Sequence, residues 1–321
     1  MKTITSFMME LHKELKDKRE IADITASQYI RTLYSLNSER PFTNLAWLKN
    51  VESVENRLSE YAESTQKTML STIVSTLSLY NQKSAYKKIF AYWYNKMMEK
   101  ANDLQGRDSS QKTDKQAENW LHWDVVLAHE KRLRQEAESL INSDLNSSSW
   151  NVILSYMILS LYTQFAPRRN QDYQFMKVVK SPAQAKDSEF NYYITDTQQF
   201  VFNKYKTAKA HGEQVFDVPK ELVSAINLYL AKHPGNKKKP FNFLVTWDGL
   251  ALPSVNSITR ILNRIFGKNV GATMLRHIYL SSKYDVEEMN KDAERMGHTS
   301  GMQHEYMKGA SIVELPTFIQ G

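Results

Sequence analysis

Cysteine is absent from the 321 residues. That excludes a disulfide framework, a thiolate zinc site, an iron–sulfur cluster and a cysteine nucleophile. Glycine (10) and proline (8) are scarce, so collagen-like and low-complexity architectures fail on composition. The longest apolar stretch, Val152 to Tyr162, is interrupted by serines and falls short of the ~20 residues that a membrane span needs. Met1 to Glu20 is charged and amphipathic and has no apolar signal-peptide core, so an intracellular protein is expected, not a secreted or membrane one. No P-loop, GxGxxG, GxSxG or HExxH is present. The spacing of His277, His298 and His304 fits no common zinc pattern, and neither metal nor cofactor is expected.

What is present is an ordinary globular composition, 41% hydrophobic and 24% charged. The chain is longer than a typical domain of ~100–150 residues, so two domains are expected. The net charge of +7 is unevenly spread. Residues 1–150 hold 21 Lys/Arg and 20 Asp/Glu, whereas 151–321 hold 21 and 15. Within 201–280 the count is 12 against 4. A basic second half suggests a polyanionic partner, most often nucleic acid, although many basic domains bind nothing specific.

The first hundred residues read as helices. Ser6 to Leu15 is amphipathic, Thr25 opens a second helix carrying Tyr29, Ile30, Leu33 and Tyr34, and Thr65 to Tyr80 and Ser84 to Lys100 follow. The stripe Tyr86/Phe90/Trp93/Tyr94 has helical spacing and reads as core rather than as a base-stacking platform. Asp103 to Lys115 is polar and reads as a linker, giving domains 1–102 and 116–321. Gln116 to Leu140 reads as one long charged helix. Trp150 to Phe165 is a strongly apolar helix that stops before Pro167. Segments 173–179, 190–195, 200–205 and 214–218 are short and mostly rich in Phe, Tyr, Val and Ile, as a small antiparallel sheet of about three strands requires. Helical patterns resume at 220–232, 254–266, 272–283, 286–296 and 303–308. The fold class is therefore mainly α with a small antiparallel β-sheet. Lys237-Lys238-Lys239 reads as a solvated turn, with phosphate contact as the alternative.

Four stretches of the second half could carry chemistry. Ala166-Pro167-Arg168-Arg169-Asn170-Gln171-Asp172 puts two arginines at the end of an apolar helix. A guanidinium there is costly unless it is paired or binds an anion. Asp172, three residues after Arg169, could orient it; an ordinary structural Arg–Asp pair is the alternative. Asn203 to Gly212 reads as a hairpin turn carrying Lys204, Lys206 and Lys209, either solvated or set against a phosphate. Thr273-Met274-Leu275-Arg276-His277 puts an Arg-His pair into an apolar helix, as an anion site, a buried network or a surface-facing pair. Met296-Gly297-His298-Thr299-Ser300 has a helix stop at Gly297, with Tyr306 eight positions after His298. Arg, Lys, His and Tyr together suit phosphodiester transfer. Cations stabilise a charged phosphorus centre, Lys or His moves protons, and a tyrosine hydroxyl can attack.

In this order the four stretches resemble the catalytic domain of the tyrosine recombinase (phage integrase) family, over about residues 150–310. The matches are Arg169 with Asp172, Lys206 in Tyr205-Lys206-Thr207, Arg276, Gly297-His298 and Tyr306. Residues 1–100 are similar to the family's helical core-binding domain, and the Pro167-Arg168-Arg169 style looks more like the recombinases of large DNA viruses and mobile elements. The resemblance implies a helical N-terminal DNA-binding domain, a mixed α+β catalytic domain, duplex DNA as partner, and no ATP or metal. It implies that Arg169 and Arg276 hold the scissile phosphate, His298 adds a hydrogen bond, Lys206 protonates the leaving 5′-hydroxyl and Tyr306 forms a 3′-phosphotyrosyl link. Asp172, Thr273 and His277 are supporting, and Arg168, Lys204 and Lys209 are further DNA contacts. A homo-tetramer on two duplexes, with the apolar tail Ala310 to Gly321 exchanged between protomers, is also implied. The sequence departs from the family pattern at Thr273, which stands where a histidine is usual, and His298–Tyr306 is one residue short of the usual spacing. A type IB topoisomerase, a DNA-binding protein with a degenerate site, and a helical scaffold with a merely solvated basic face are the rival readings.

Overall fold

The computed structural model describes residues 4–105, 112–235, 240–282, 291–292 and 294–297. The chain divides into two compact units, Met1–Asp108 and Ser109–Gly321. It is mainly helical, with one small five-stranded mixed sheet.

The first unit holds α1 (Ser6–Arg19), α2 (Asp23–Leu36), α3 (Val51–Ser59), α4 (Glu63–Leu77) and α5 (Ser84–Gln105). Thr5 caps α1 by accepting from the Met8 amide. Met8, Leu11, Leu15, Leu33, Ile73, Leu77 and Trp93 form its core, and the Trp93 indole donates to the Leu48 carbonyl. Of the aromatic stripe, Trp93 is buried and Tyr86 and Phe90 pack against the core, whereas Tyr94 is exposed. α3 gave no signal strong enough to read in the sequence.

The second unit begins with α6 (Asp114–Asn119) and α7 (Trp123–Ser139). These replace the single helix expected over 116–140. At the break Asn119 turns its side chain to accept from the distant Asn269 amide and to donate to the Lys115 carbonyl, and Trp120 is extended. α8 (Ser147–Thr163) is capped by Asn146 and Ser149 and is apolar on nearly every side. Such a helix must be enclosed, and it runs through the main core with α7, α11 (Lys220–Ala231) and α12 (Val255–Phe266) around it. Trp150 is fully buried there, donating to the Val245 carbonyl and lying against Tyr229.

α9 (Asn170–Gln174) follows α8 and leads into the sheet. The strands are β1 (Lys177–Val179), β2 (Tyr192–Ile194), β3 (Gln199–Phe202), β4 (Gln214–Asp217) and β5 (Phe241–Asn242), in the order β4-β3-β2-β1-β5. The short α10 (Ala208–His211) lies in the β3–β4 connection, and α13 (Ala272–Ser281) follows α12. β1 and β2 pair in parallel, with Val178 opposite Tyr193, and the other pairings are antiparallel. The expected three-stranded antiparallel sheet is thus corrected to five strands of mixed sense. Tyr173 and Gln174, expected to open a strand, are instead the end of a helix, because Asn170 to Gln174 close a helical turn after the extended Arg169, and the strand begins only at Lys177.

Candidate functional site

The two consecutive arginines part company at the end of α8. Arg169 is extended (φ −75°, ψ 148°), and in extended chain successive side chains leave on opposite sides. Arg168 turns inward and is 0% exposed. Its Nε donates to Asp172 Oδ2 at 2.9 Å, Nη2 donates to Gln214 Oε1 at 3.1 Å, and Nη1 donates to the Arg295 carbonyl. The guanidinium lies 3.8 Å from the centre of the Phe202 ring and 5.1 Å from that of Tyr205. Two expectations are corrected here. Asp172 forms its ion pair with Arg168 and not with Arg169, and Arg168, enclosed on every side, is not placed to touch DNA. A guanidinium this deep requires a carboxylate, and the residue four positions on supplies it.

Burial pushes the Asp172 carboxyl up, while Arg168, Arg169 and Arg276 pull it down. Three guanidiniums therefore act on one enclosed carboxylate, which leaves this part of the molecule with surplus positive charge.

That surplus borders a cavity of about 670 Å³ lined by Arg169, Thr273, Arg276 and His277, together with Lys115 and Asn170. Arg169 Nη1 is buried and has no hydrogen-bond partner among the described residues. Arg276 (2% exposed) and His277 are buried on α13, and Thr273 is exposed one turn earlier. α13 comes this close because Gly271 precedes it: a Cβ there would lie 3.2 Å from Thr259 Cγ2 on α12. Asn170 fixes the arginine turn from behind. It accepts from the Tyr162 hydroxyl at 2.7 Å and donates to Thr259 Oγ1 at 2.8 Å and to the Val255 carbonyl.

Lys204, Lys206 and Lys209 all lie in the β3–β4 connection. Lys206 and Lys209 are exposed, and Lys204 is paired with Glu189. Lys206 is not part of the cavity wall, but two links tie its connection to the arginine turn. Asn191, nearly fully buried, donates to the Asp172 and Lys204 carbonyls and accepts from the Asn203 and Lys204 amides. Thr207 Oγ1 donates to the Gly297 carbonyl. Gly297 has φ +69°, and a Cβ on it would meet Arg168 Nη2 at 3.1 Å and the Tyr205 ring at 3.2 Å, so both backbone and space select glycine. His298 and Tyr306 lie outside the described residues, as do Lys237 to Lys239 and the tail Ala310 to Gly321.

Asn191 and Gln214 were missed in the sequence. Asn191 left one faint mark, a polar residue at the start of an otherwise apolar strand; Gln214 left none. Among the described residues no group of three His, Cys, Asp or Glu could hold a metal ion, and no described helix is long and apolar enough to cross a membrane.

No protein-family model matches the chain, and no curated protein matches it in sequence. Among solved structures it is similar to the crystal structure of XerA recombinase, with 14% sequence identity over 94% of this chain and 92% of that one, and a TM-score of 0.39.

Proposed function

We propose that the protein is a DNA strand transferase of the tyrosine-recombinase type, which cuts and rejoins duplex DNA through a covalent tyrosyl intermediate. The observation that carries this reading is the cavity that Arg169 and Arg276, from distant parts of the chain, line together, with Arg169 Nη1 buried and lacking a partner among the described residues. An open cleft with surplus guanidinium charge suits a phosphodiester better than a neutral ligand, because planar N–H forks match phosphate oxygens in pairs.

In the proposed reaction Tyr306 Oη attacks the scissile phosphorus, and the P–O5′ bond breaks. The tyrosine proton passes to a base or to solvent, and Lys206 gives a proton to the departing O5′. Arg169 and Arg276 offset charge on the non-bridging oxygens, which develops most in the pentacoordinate transition state. The new phosphotyrosyl ester retains the energy of the bond it replaced, so religation by a 5′-hydroxyl needs no external energy source. Residues 1–102 would supply a second DNA-contacting body, and four protomers on two duplexes would complete strand exchange.

Thr273 favours one other reading, a DNA-binding protein whose chemistry has decayed, because a threonine hydroxyl cannot replace a proton-moving imidazole. His277 lines the same cavity and is the side chain able to take over that role.

The test is covalent trapping. The protein is incubated with nicked duplexes covering the DNA that flanks its own coding sequence, denatured, and examined for a slow-migrating protein–DNA adduct. An adduct is expected from the wild type, and none from Tyr306→Phe, which still binds the duplex. Salt-sensitive binding without any adduct would support the decayed reading. An adduct undiminished in Tyr306→Phe would refute the assignment of the nucleophile.

A further inference from the structure

The fully buried Arg168–Asp172 pair is not explained by the phosphate site, which uses the neighbouring arginine. Buried ion pairs are poor stabilisers, since desolvation offsets most of their attraction. The contacts of Arg168 point to another role. Its three nitrogens reach three separate parts of the chain: Asp172 on α9, Gln214 at the start of β4, and the carbonyl of Arg295. Gln214 continues the contact by donating to the Glu294 carbonyl at 3.2 Å. Thr207, next to Lys206, donates to the Gly297 carbonyl, and Gly297 sits directly against Arg168 Nη2 and Tyr205. Met296 packs with Ala166, Tyr279 and Leu280, and Asp292 accepts from the Tyr279 hydroxyl. Residues 294–297 are thus held from one side by α13 and from the other by Arg168, Gln214 and Thr207.

We propose that Arg168 is a positioning residue: its buried guanidinium clamps residues 294–297 against the β3–β4 connection and so fixes where Lys206 stands relative to Arg169. This inference rests on the strand-transferase reading for the role of Lys206, but the clamp itself does not. Only a guanidinium can serve the three acceptors at once. A lysine ammonium is a single point and reaches one or two of them. With the clamp released, the Thr207–Gly297 contact loses its backing and the general acid leaves its place. A displacement of about an ångström costs about 10²-fold in rate, and that matches the lower end of what a positioned general acid contributes.

The experiment compares wild type, Arg168→Lys and Gln214→Ala in single-turnover adduct formation on two substrates. One is an ordinary nicked duplex. The other carries sulfur in place of the bridging 5′ oxygen, so the leaving group is a thiolate that needs no proton. Arg168→Lys is expected to react about 10²-fold more slowly on the oxygen substrate and to recover most of that loss on the sulfur one, with unchanged duplex affinity. A merely structural defect would slow both equally, and that result, or an unchanged oxygen rate, would overturn the proposal. Hydrogen exchange of the full-length chain is read in parallel, with faster exchange expected within 203–214 and 294–297. Should Arg168→Lys fail to fold, Gln214→Ala, which removes one contact and keeps the ion pair, decides the question by the same readings. If wild type forms no adduct, the functional reading fails, and exchange alone decides: no change at 294–297 in either variant overturns the clamp.

Discussion

Replacing Asp172 by asparagine removes one charge and almost no volume. Both partners of the pair are fully buried, and Nε and Oδ2 are 2.9 Å apart. The asparagine oxygen can still accept from Nε, so the geometry survives while the countercharge is lost. Arg168 then becomes an uncompensated cation in the interior, and Arg169 and Arg276 lose the carboxylate they share with it. Breaking a buried pair in this way costs ~3–5 kcal/mol. For a unit of this size each kcal/mol shifts Tm by about 2–4 °C, so Asp172→Asn is expected to melt roughly 6–20 °C lower. Urea denaturation followed by tryptophan fluorescence and by circular dichroism measures the loss. The double change Arg168→Met with Asp172→Leu removes both charges and is expected to regain most of the stability, because apolar groups of similar size replace buried pairs at little cost. It should not regain the rate of adduct formation. A loss below about 1 kcal/mol in Asp172→Asn would refute the reasoning, since it would mean that water or movement already relieves the charge.

Two further outcomes follow, one from the cavity and one from a half-buried histidine on α7. Arg276→Ala should lower the rate of adduct formation by on the order of 10²–10³ while leaving duplex binding largely intact, as loss of one donor to a developing charge does; single-turnover kinetics measure it, and a near-normal rate would remove Arg276 from the site. His129 on α7 lies edge-on to Phe266, and burial, aided by Arg132, holds its pKa below the ordinary 6.5. The unfolded chain therefore takes up this proton at higher pH than the folded one, so stability falls as pH drops through 6.5 towards the folded value. His129→Gln should flatten that part of the stability–pH curve, and an unchanged slope would contradict it.

Most helices were legible, the amphipathic ones from apolar residues at helical spacing and α8 from its long apolar run, which announced it to within three residues at its start; α3 was not, and the break between α6 and α7 was missed. The sheet was only partly legible. Four apolar segments pointed to strands, but β5 is two residues long next to a lysine run, and no local pattern carries the parallel pairing of β1 with β2. Both depend on partners far along the chain. In the site, Arg169 and Arg276 were named from residue type and order and Thr273 and His277 as supporting residues through the family resemblance, and all four line one cavity. The partner of Asp172 was misread because carboxylates three and four positions away are equally reachable in sequence. Burial decides between them, and burial is a property of the packed molecule. Asn191 works through backbone amides and carbonyls, and Gln214 through the Arg168 guanidinium and a distant backbone carbonyl, none of which the local sequence displays.

The extended Arg169 makes Arg168-Arg169 a divided pair, with one residue fastened to the interior and its neighbour facing the cavity. Their side chains are chemically identical, so side is assigned by parity of position alone. A single residue inserted immediately before Arg168 and taken up within the extended stretch would therefore keep both arginines yet exchange inside for outside, sending a clamp into the cavity and a phosphate ligand into the core. Substitutions at either arginine alter one function at a time; a change in length there would disable both.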